Sequence, residues 1–305
     1  MTFTIRPVAP AQYDEALALW RDVFGVHDEY FTRYYHGDPW YRPGDTLGAW
    51  VGGRLVSTVH TCRRPVNWER RTLVCAAVAN VATLPDQRGR GLSRALLSAA
   101  TARWLMDEFS FGQLGTGIPG FYERQGWEVM PMGKFHIALE RSAPSPPAHK
   151  LVAGADILER YSRSTRPLLL QRSPQYMADW VSYEHGKLGT ETWAIDDRGY
   201  ITARFPQDGS EAQVQEWVAP DAVAEQALIL AALRAAQDHG ITQVSFHGMP
   251  QFIDPLIAFE TLGTVTLTPE AHAMVRNISL TDAEYSAVKG AYIAGQATCW
   301  PADWY

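Results

Sequence analysis

One stretch constrains the fold of this chain more tightly than any other. The apolar run Val78-Ala79-Asn80-Val81-Ala82-Thr83-Leu84 stops at Pro85-Asp86-Gln87-Arg88-Gly89-Arg90-Gly91 and gives way to Leu92-Ser93-Arg94-Ala95-Leu96-Leu97. The first segment reads as a strand and the last as the opening of a helix with an apolar stripe. Two glycines between them let the backbone bend so that successive N–H groups point into one concavity. The helix adds its orphan donors and the positive end of its dipole at the same place. Arg88, Arg90 and Arg94 surround it with cationic side chains. Such a turn predicts a phosphorylated ligand, and a pyrophosphate suits it best.

At 305 residues the chain can form one large domain or two of ordinary size, and 46% hydrophobic with 20% charged residues is the composition of a folded protein without extensive disorder. No run approaches the ~20 apolar residues of a membrane span, and Met1-Thr2-Phe3-Thr4-Ile5-Arg6 lacks a signal-peptide pattern, so a cytoplasmic protein with no membrane partner is expected. Cys62, Cys75 and Cys299 are scattered without metal-ligand or disulfide spacing, and no metal is expected. A net charge of -6 argues against a general affinity for nucleic acid and is compatible with a cationic substrate.

The order of elements predicts an α+β fold. Phe3 to Pro7 reads as a strand, Pro10 to Phe24 as a helix closed by Gly25, and Tyr30 to Tyr41 as an aromatic-dense segment serving either as core helix or as substrate-facing lid. Leu47 to Val51 and Arg54 to His60 flank Gly52-Gly53, a hairpin signal, and lead through a second turn near Asn67-Trp68-Glu69 to the strand that ends at Leu84. Phe109 to Leu114 is a further strand, Gly120 to Gly126 a short helix and Phe135 to Leu139 a last strand. Ser142-Ala143-Pro144-Ser145-Pro146-Pro147 breaks every pattern. The expected division is therefore a domain at 1–141, a linker at 142–150 and a second domain at 151–305.

The second half repeats the coarse order of the first: a helical stretch near Tyr176 to Trp180, a hairpin turned at Asp196-Asp197-Arg198-Gly199, a strand Ala212 to Val218, a helix Ala222 to Gln237 and a strand Thr242 to Phe246. At the position of the turn it carries Ala219-Pro220-Asp221-Ala222-Val223, with neither glycine nor arginine. The second copy is expected to have lost the anion site.

Leu84 to Ser93, followed by Phe121-Tyr122-Glu123-Arg124-Gln125-Gly126-Trp127, resembles the GCN5-related N-acetyltransferase (GNAT) superfamily. Arg88, Gly91 and Ser93 fill that family's acetyl-coenzyme A motif, with serine standing where glycine or alanine is usual. The resemblance implies that acetyl-CoA is bound by Arg88, Gly89, Arg90, Gly91, Leu92, Ser93 and Arg94, and that Val81, Ala82 and Thr83 hold the pantetheine arm along a splayed strand. It also implies that Tyr122 is the general acid near the coenzyme sulfur, whereas the asparagine often found some seven residues earlier is replaced by Gly115. The two-copy layout is similar to tandem GNAT proteins of the enhanced-intracellular-survival type, in which the terminal carboxylate enters the active site; here that is Tyr305. The expected architecture is two tandem GNAT-like domains, each a mixed, mostly antiparallel sheet flanked by helices.

The activity implied is acetyl transfer to a primary amine of a small molecule, an aminoglycoside or a protein. Asp28, Glu29, Tyr30 and Tyr34 are candidates for binding it, and Glu69, His60 and the Asp28-Glu29 pair for the base beside Tyr305. Two other classes compete. Gly91-Leu92-Ser93-Arg94-Ala95 resembles a nucleophile elbow, which would make Ser93 the nucleophile of a hydrolase with His247 or His272 downstream. A non-catalytic acyl-coenzyme A sensor or scaffold is the other.

Overall fold

The computed structural model describes residues 2–151, 154–297 and 299–305. Its strands are β1 (Thr4–Pro7), β2 (Thr46–Val51), β3 (Arg54–Trp68), β4 (Arg71–Thr83), β5 (Phe111–Gly115), β6 (Glu128–Leu139), β7 (His149–Lys150), β8 (Thr190–Ile195), β9 (Gly199–Arg204), β10 (Ala212–Val218), β11 (Gln243–Phe246) and β12 (Gly263–Asn277). The helices that bear on the site are α1 (Tyr13–Phe24), α2 (Asp28–His36), α3 (Leu92–Met106), α4 (Pro119–Glu123), α5 (Gly154–Ser162), a segment that runs through Pro174–Tyr176, Met177–Val181 and Ser182–His185, and α6 (Ala222–Asp238). Among the described residues no helix is long and apolar enough to cross a membrane.

Local chemistry sets these elements. Gly52 and Gly53, with φ of 58° and 83°, join β2 to β3 through the two-residue turn whose twist matches antiparallel strands. Thr58 and His60 share one face of β3, where α1 and α2 deliver Trp20, Tyr34 and Tyr35 around the imidazole. Thr61 points the opposite way and accepts a hydrogen bond from Trp104 of α3 at 3.1 Å. Alternation along one strand thus separates α1 and α2 from α3 across the sheet. The aromatic-dense segment is a helix whose Phe31, Tyr34 and Tyr35 are buried.

All the strands join one sheet in the order β1-β2-β3-β4-β5-β12-β6-β11-β10-β9-β8-β7. It consists of two overlapping sets of seven that share β6 and β12, and each set is flanked by its own helices. Among the described residues only β4–β5 and β10–β11 are parallel, and each of those pairs is connected through a helix, α3 or α6. The expected mixed, mostly antiparallel tandem architecture is what the chain adopts. The sharing of strands is an addition to it. β12, from the second half, lies between β5 and β6, pairing Ala273 to Asn277 with β5 and Gly263 to Val275 with β6. In return β6 pairs with β11 from Phe135 to Ala138.

The end of the chain is tied down from the second half. Arg172 places its guanidinium between Glu216 and Asp303, at 2.6 and 2.9 Å, and Trp300 is fully buried with its ring 4.9 Å from that of Trp217. A strap at Leu168 to Gln171 hydrogen-bonds Asn67 and Pro65 of β3 just before Arg172. Tyr305 thereby comes to rest against the first set of strands.

Candidate active site

The site begins where β4 parts from β5. The two strands pair only from Cys75 to Ala77 with Phe111 to Gln113, after which β4 runs on to Thr83 beside β3 alone. A bulge drives the separation: Thr58 pairs with Ala82 but His60 with Ala79, and Asn80 takes the left-handed conformation with φ 49°. Thr58 pins the bulge, donating its hydroxyl to the Asn80 carbonyl at 3.1 Å while accepting from Trp20 Nε1 at 2.7 Å. Residues Val81 to Thr83 are left with a backbone edge that no strand on the β5 side covers.

Beyond the splay, Gly89 and Gly91 have φ of 74° and 76°, and Gly91 is the N-cap of α3. A Cβ at either position would meet no atom within 4 Å, so the space over the turn is open. The N–H groups of both glycines have no acceptor among the described residues, and the first turn of α3 adds its own free donors. Arg88 donates to the Thr83 carbonyl at 3.3 Å, Arg90 hydrogen-bonds Gln87, and Arg94 is exposed beside them. Ser57, Thr83 and Ser93 form a hydroxyl chain, each step 2.7 Å, that locks β3, β4 and the start of α3 together. Serine at the departing place in the motif therefore contributes a hydrogen bond that glycine or alanine could not make.

Two clefts meet here. One, of about 520 Å³, is lined by Val81, Thr83, the turn from Gln87 to Arg94, Phe121 and Tyr122. The other, of about 540 Å³, is lined by Phe24, Val26, Tyr30, Phe31, Tyr34, Asn80, Gly115, Thr116 and Tyr305 among others. Val81 and Tyr122 border both. Tyr122 stands on α4, held edge-on by Phe121 at 4.9 Å, and burial pushes its phenol up to about 12, so it keeps its proton at neutral pH. Tyr305 also borders a small internal cavity with Arg64, Cys75, Cys299 and Asp303. Gly115 leaves room in the second cleft, since a Cβ there would touch nothing.

The other residues named from the sequence fall in different places. Tyr30 and Tyr34 line the second cleft, but Asp28 and Glu29 do not: both are exposed at the start of α2, and Asp28 pairs with Arg21 at 2.9 Å. Ala82 and Leu92 are buried beneath the turn, Leu92 at its edge. His60 is enclosed by rings, bonded through Nδ1 to Thr46 at 2.8 Å, and lowered to about 3 by burial and by the Arg64 charge, so it is neutral and outside both clefts. Glu69 is exposed at the β3–β4 turn with φ 52°. Ser93 spends its hydroxyl on Thr83, while His272 hydrogen-bonds the Thr116 carbonyl and His247 packs on Trp304 at 5.3 Å. No imidazole reaches Ser93 among the described residues, so a hydrolase triad is not assembled. Sequence reading passed over Phe24, Val26 and Asn80, which line the second cleft with Phe31 of the aromatic segment.

The corresponding place in the second half is filled by the chain itself. Asp221 accepts from the Ala224 N–H at 2.8 Å, capping α6 where an anion would sit. Glu225 takes the N–H groups of Gln251 and Phe252 and the Trp217 indole N–H, all within 2.9 Å.

Comparison with known proteins agrees with this geometry. The family model described as "Acetyltransferase (GNAT) domain" matches residues 4–130. No curated protein matches in sequence. Among solved structures, a conserved protein from Enterococcus faecalis described as a probable N-acyltransferase superposes with a TM-score of 0.72 at 16% identity, covering 91% of this chain and 73% of its own. Eis1 from Mycobacterium abscessus gives 0.68 at 19%, covering 94% and 76%, and a GCN5-related N-acetyltransferase from Kribbella flavida gives 0.67 at 20%, covering 90% and 71%. At these identities the structures show a shared fold.

Proposed function

We propose that this chain, an acyltransferase of the tandem type whose first domain belongs to the GNAT acetyltransferase family, moves an acetyl group from acetyl-coenzyme A directly to a primary amine. The observation that carries the proposal is the shared wall: Val81 and Tyr122 border both the cleft over the glycine turn and the aromatic cleft. A donor in the first and an acceptor in the second would meet at those two residues.

The first cleft fits coenzyme A. Its open turn, its unpaired glycine N–H groups and the positive end of α3 suit a diphosphate, and the uncovered edge of β4 from Val81 to Thr83 suits the amides of a pantetheine arm. When bound, the coenzyme supplies an acyl group activated by a thiol leaving group. The chain's own residues do the rest. An amine with a pKa near ~10 must lose a proton, which at neutral pH costs about 4 kcal/mol without a base. Tyr305 lines the second cleft, where that proton must be taken up. Tyr122, protonated and at the junction, gives one to the departing sulfur. The free N–H groups of β4 polarise the carbonyl under attack.

The test is release of free thiol from acetyl-coenzyme A in the presence of amines, with Tyr122→Phe beside the parent chain. The variant should slow turnover at unchanged coenzyme dissociation constant. If it does not, and no amine accelerates thiol release, the protein is a coenzyme-binding sensor.

A further inference from the structure

The wall of the second cleft is aromatic and uncharged. Tyr30 meets Phe31 edge-on at 5.2 Å and Tyr34 at 6.0 Å, and Phe24 tilts against Phe31 at 6.0 Å; Phe31 and Tyr34 are buried behind, so the accessible ring area is that of Phe24 and Tyr30. Phe24 and Val26 remain 43% and 38% exposed, an apolar area at the end of α1 that the fold leaves open. Among the described residues lining the cleft there is no Asp, Glu, Lys or Arg. Its side-chain polar groups are neutral: the hydroxyls of Tyr30, Tyr34, Tyr122, Tyr305 and Thr116, and the Asn80 amide. The Asn80 Nδ2 is buried without a hydrogen-bond partner, in a bulge that holds it against the cleft. A buried donor left unpaired is costly, and a ligand atom or its bridging water relieves that cost.

We infer that the acceptor is an arylalkylamine, one primary amine on a short aliphatic chain that carries an aromatic ring. The inference rests on the acyl-transfer reading and narrows it. An aromatic ring gains contact with the Phe24 and Tyr30 rings and with Val26. With no Asp, Glu, Lys or Arg among the described residues that line it, the cleft suits a single amine better than several. A polyamine such as an aminoglycoside would press several ammonium groups against a neutral wall, each losing hydration with no opposite charge to replace it. A lysine side chain brings no ring.

The test compares kcat/KM by thiol release for 2-phenylethylamine, ethylamine, an aminoglycoside and a lysine-containing peptide. 2-Phenylethylamine should exceed ethylamine by about 10- to 100-fold, the value of a partly buried ring, and should exceed the other two. Phe24→Ala, at a half-exposed position, should shrink that preference about fivefold. A better rate with the aminoglycoside or the peptide, or a preference that Phe24→Ala leaves intact, overturns the inference while acyl transfer stands. No thiol release with any amine, together with no calorimetric binding of coenzyme A, overturns the transferase reading and this inference with it.

Discussion

Arg172 holds Asp303 at 2.9 Å inside the protein, two residues before the chain reaches Tyr305. The same guanidinium binds Glu216, also buried, and its charge keeps the Glu216 carboxyl well below the usual range although burial alone would raise it. The second half thus supplies the anchor and the first half receives the end of the tail.

Replacing Arg172 by Met should leave buried Asp303 without its paired charge and Glu216 with His185 alone at 3.3 Å, and cost about 3–5 kcal/mol of stability. Urea unfolding measures the loss. Asp303→Asn keeps the shape of the contact, and in that variant kcat should fall while coenzyme affinity holds. Full activity in both variants would show that tail placement is irrelevant to the first cleft.

Removing Trp304 and Tyr305 leaves the Asp303 anchor in place and takes Tyr305 out of the second cleft. Turnover should drop about 100-fold, the usual worth of a positioned base, with the coenzyme dissociation constant unchanged by calorimetry. Unaltered turnover would eliminate Tyr305 from the mechanism.

Gly89→Ala and Gly91→Ala each place a Cβ on a left-handed backbone. Strain of about 1–2 kcal/mol is expected from that geometry alone. Coenzyme binding should weaken about tenfold or more as the turn reshapes its N–H groups. A coenzyme affinity equal to that of the parent in both variants would mean the diphosphate sits elsewhere.

His60 sets a pH dependence. Its folded value is about 3 against an ordinary 6.5, so the unfolded chain takes up a proton that the folded chain refuses. The stabilisation is complete above pH 6.5 and is lost as pH falls toward 3. Between pH 6.5 and pH 4.5 His60 should account for ~2–3 kcal/mol of that loss. His60→Gln should shrink the acid-induced drop in unfolding free energy by that amount, read from urea curves at both pH values; an undiminished drop would place the sensitivity on another group.

The glycine turn and its helix were legible because positive φ and anion binding both demand residue types that leave a mark in the sequence. So was the loss of the second turn, where Asp221 now caps α6. The aromatic cleft was only half legible. Ring-rich sequence reads alike whether the rings fill the core or face a ligand, and in α2 Tyr34 does both. Asn80 was invisible as a bulge because it sits in an apolar run whose periodicity says nothing about φ. β12 went unread for a different reason: its partners, β5 and β6, lie more than a hundred residues upstream, and no local pattern records such a pairing.

The exchange of β6 and β12 has a consequence for biosynthesis. Residues 263–277 close the gap between β5 and β6, so a nascent chain that has produced the whole glycine turn and Tyr122 still lacks the strand that seals their sheet. Maturation of the first half must wait until residues 263–277 have left the ribosome, and splitting the gene at the proline-rich segment would yield two fragments that each expose an unfinished edge.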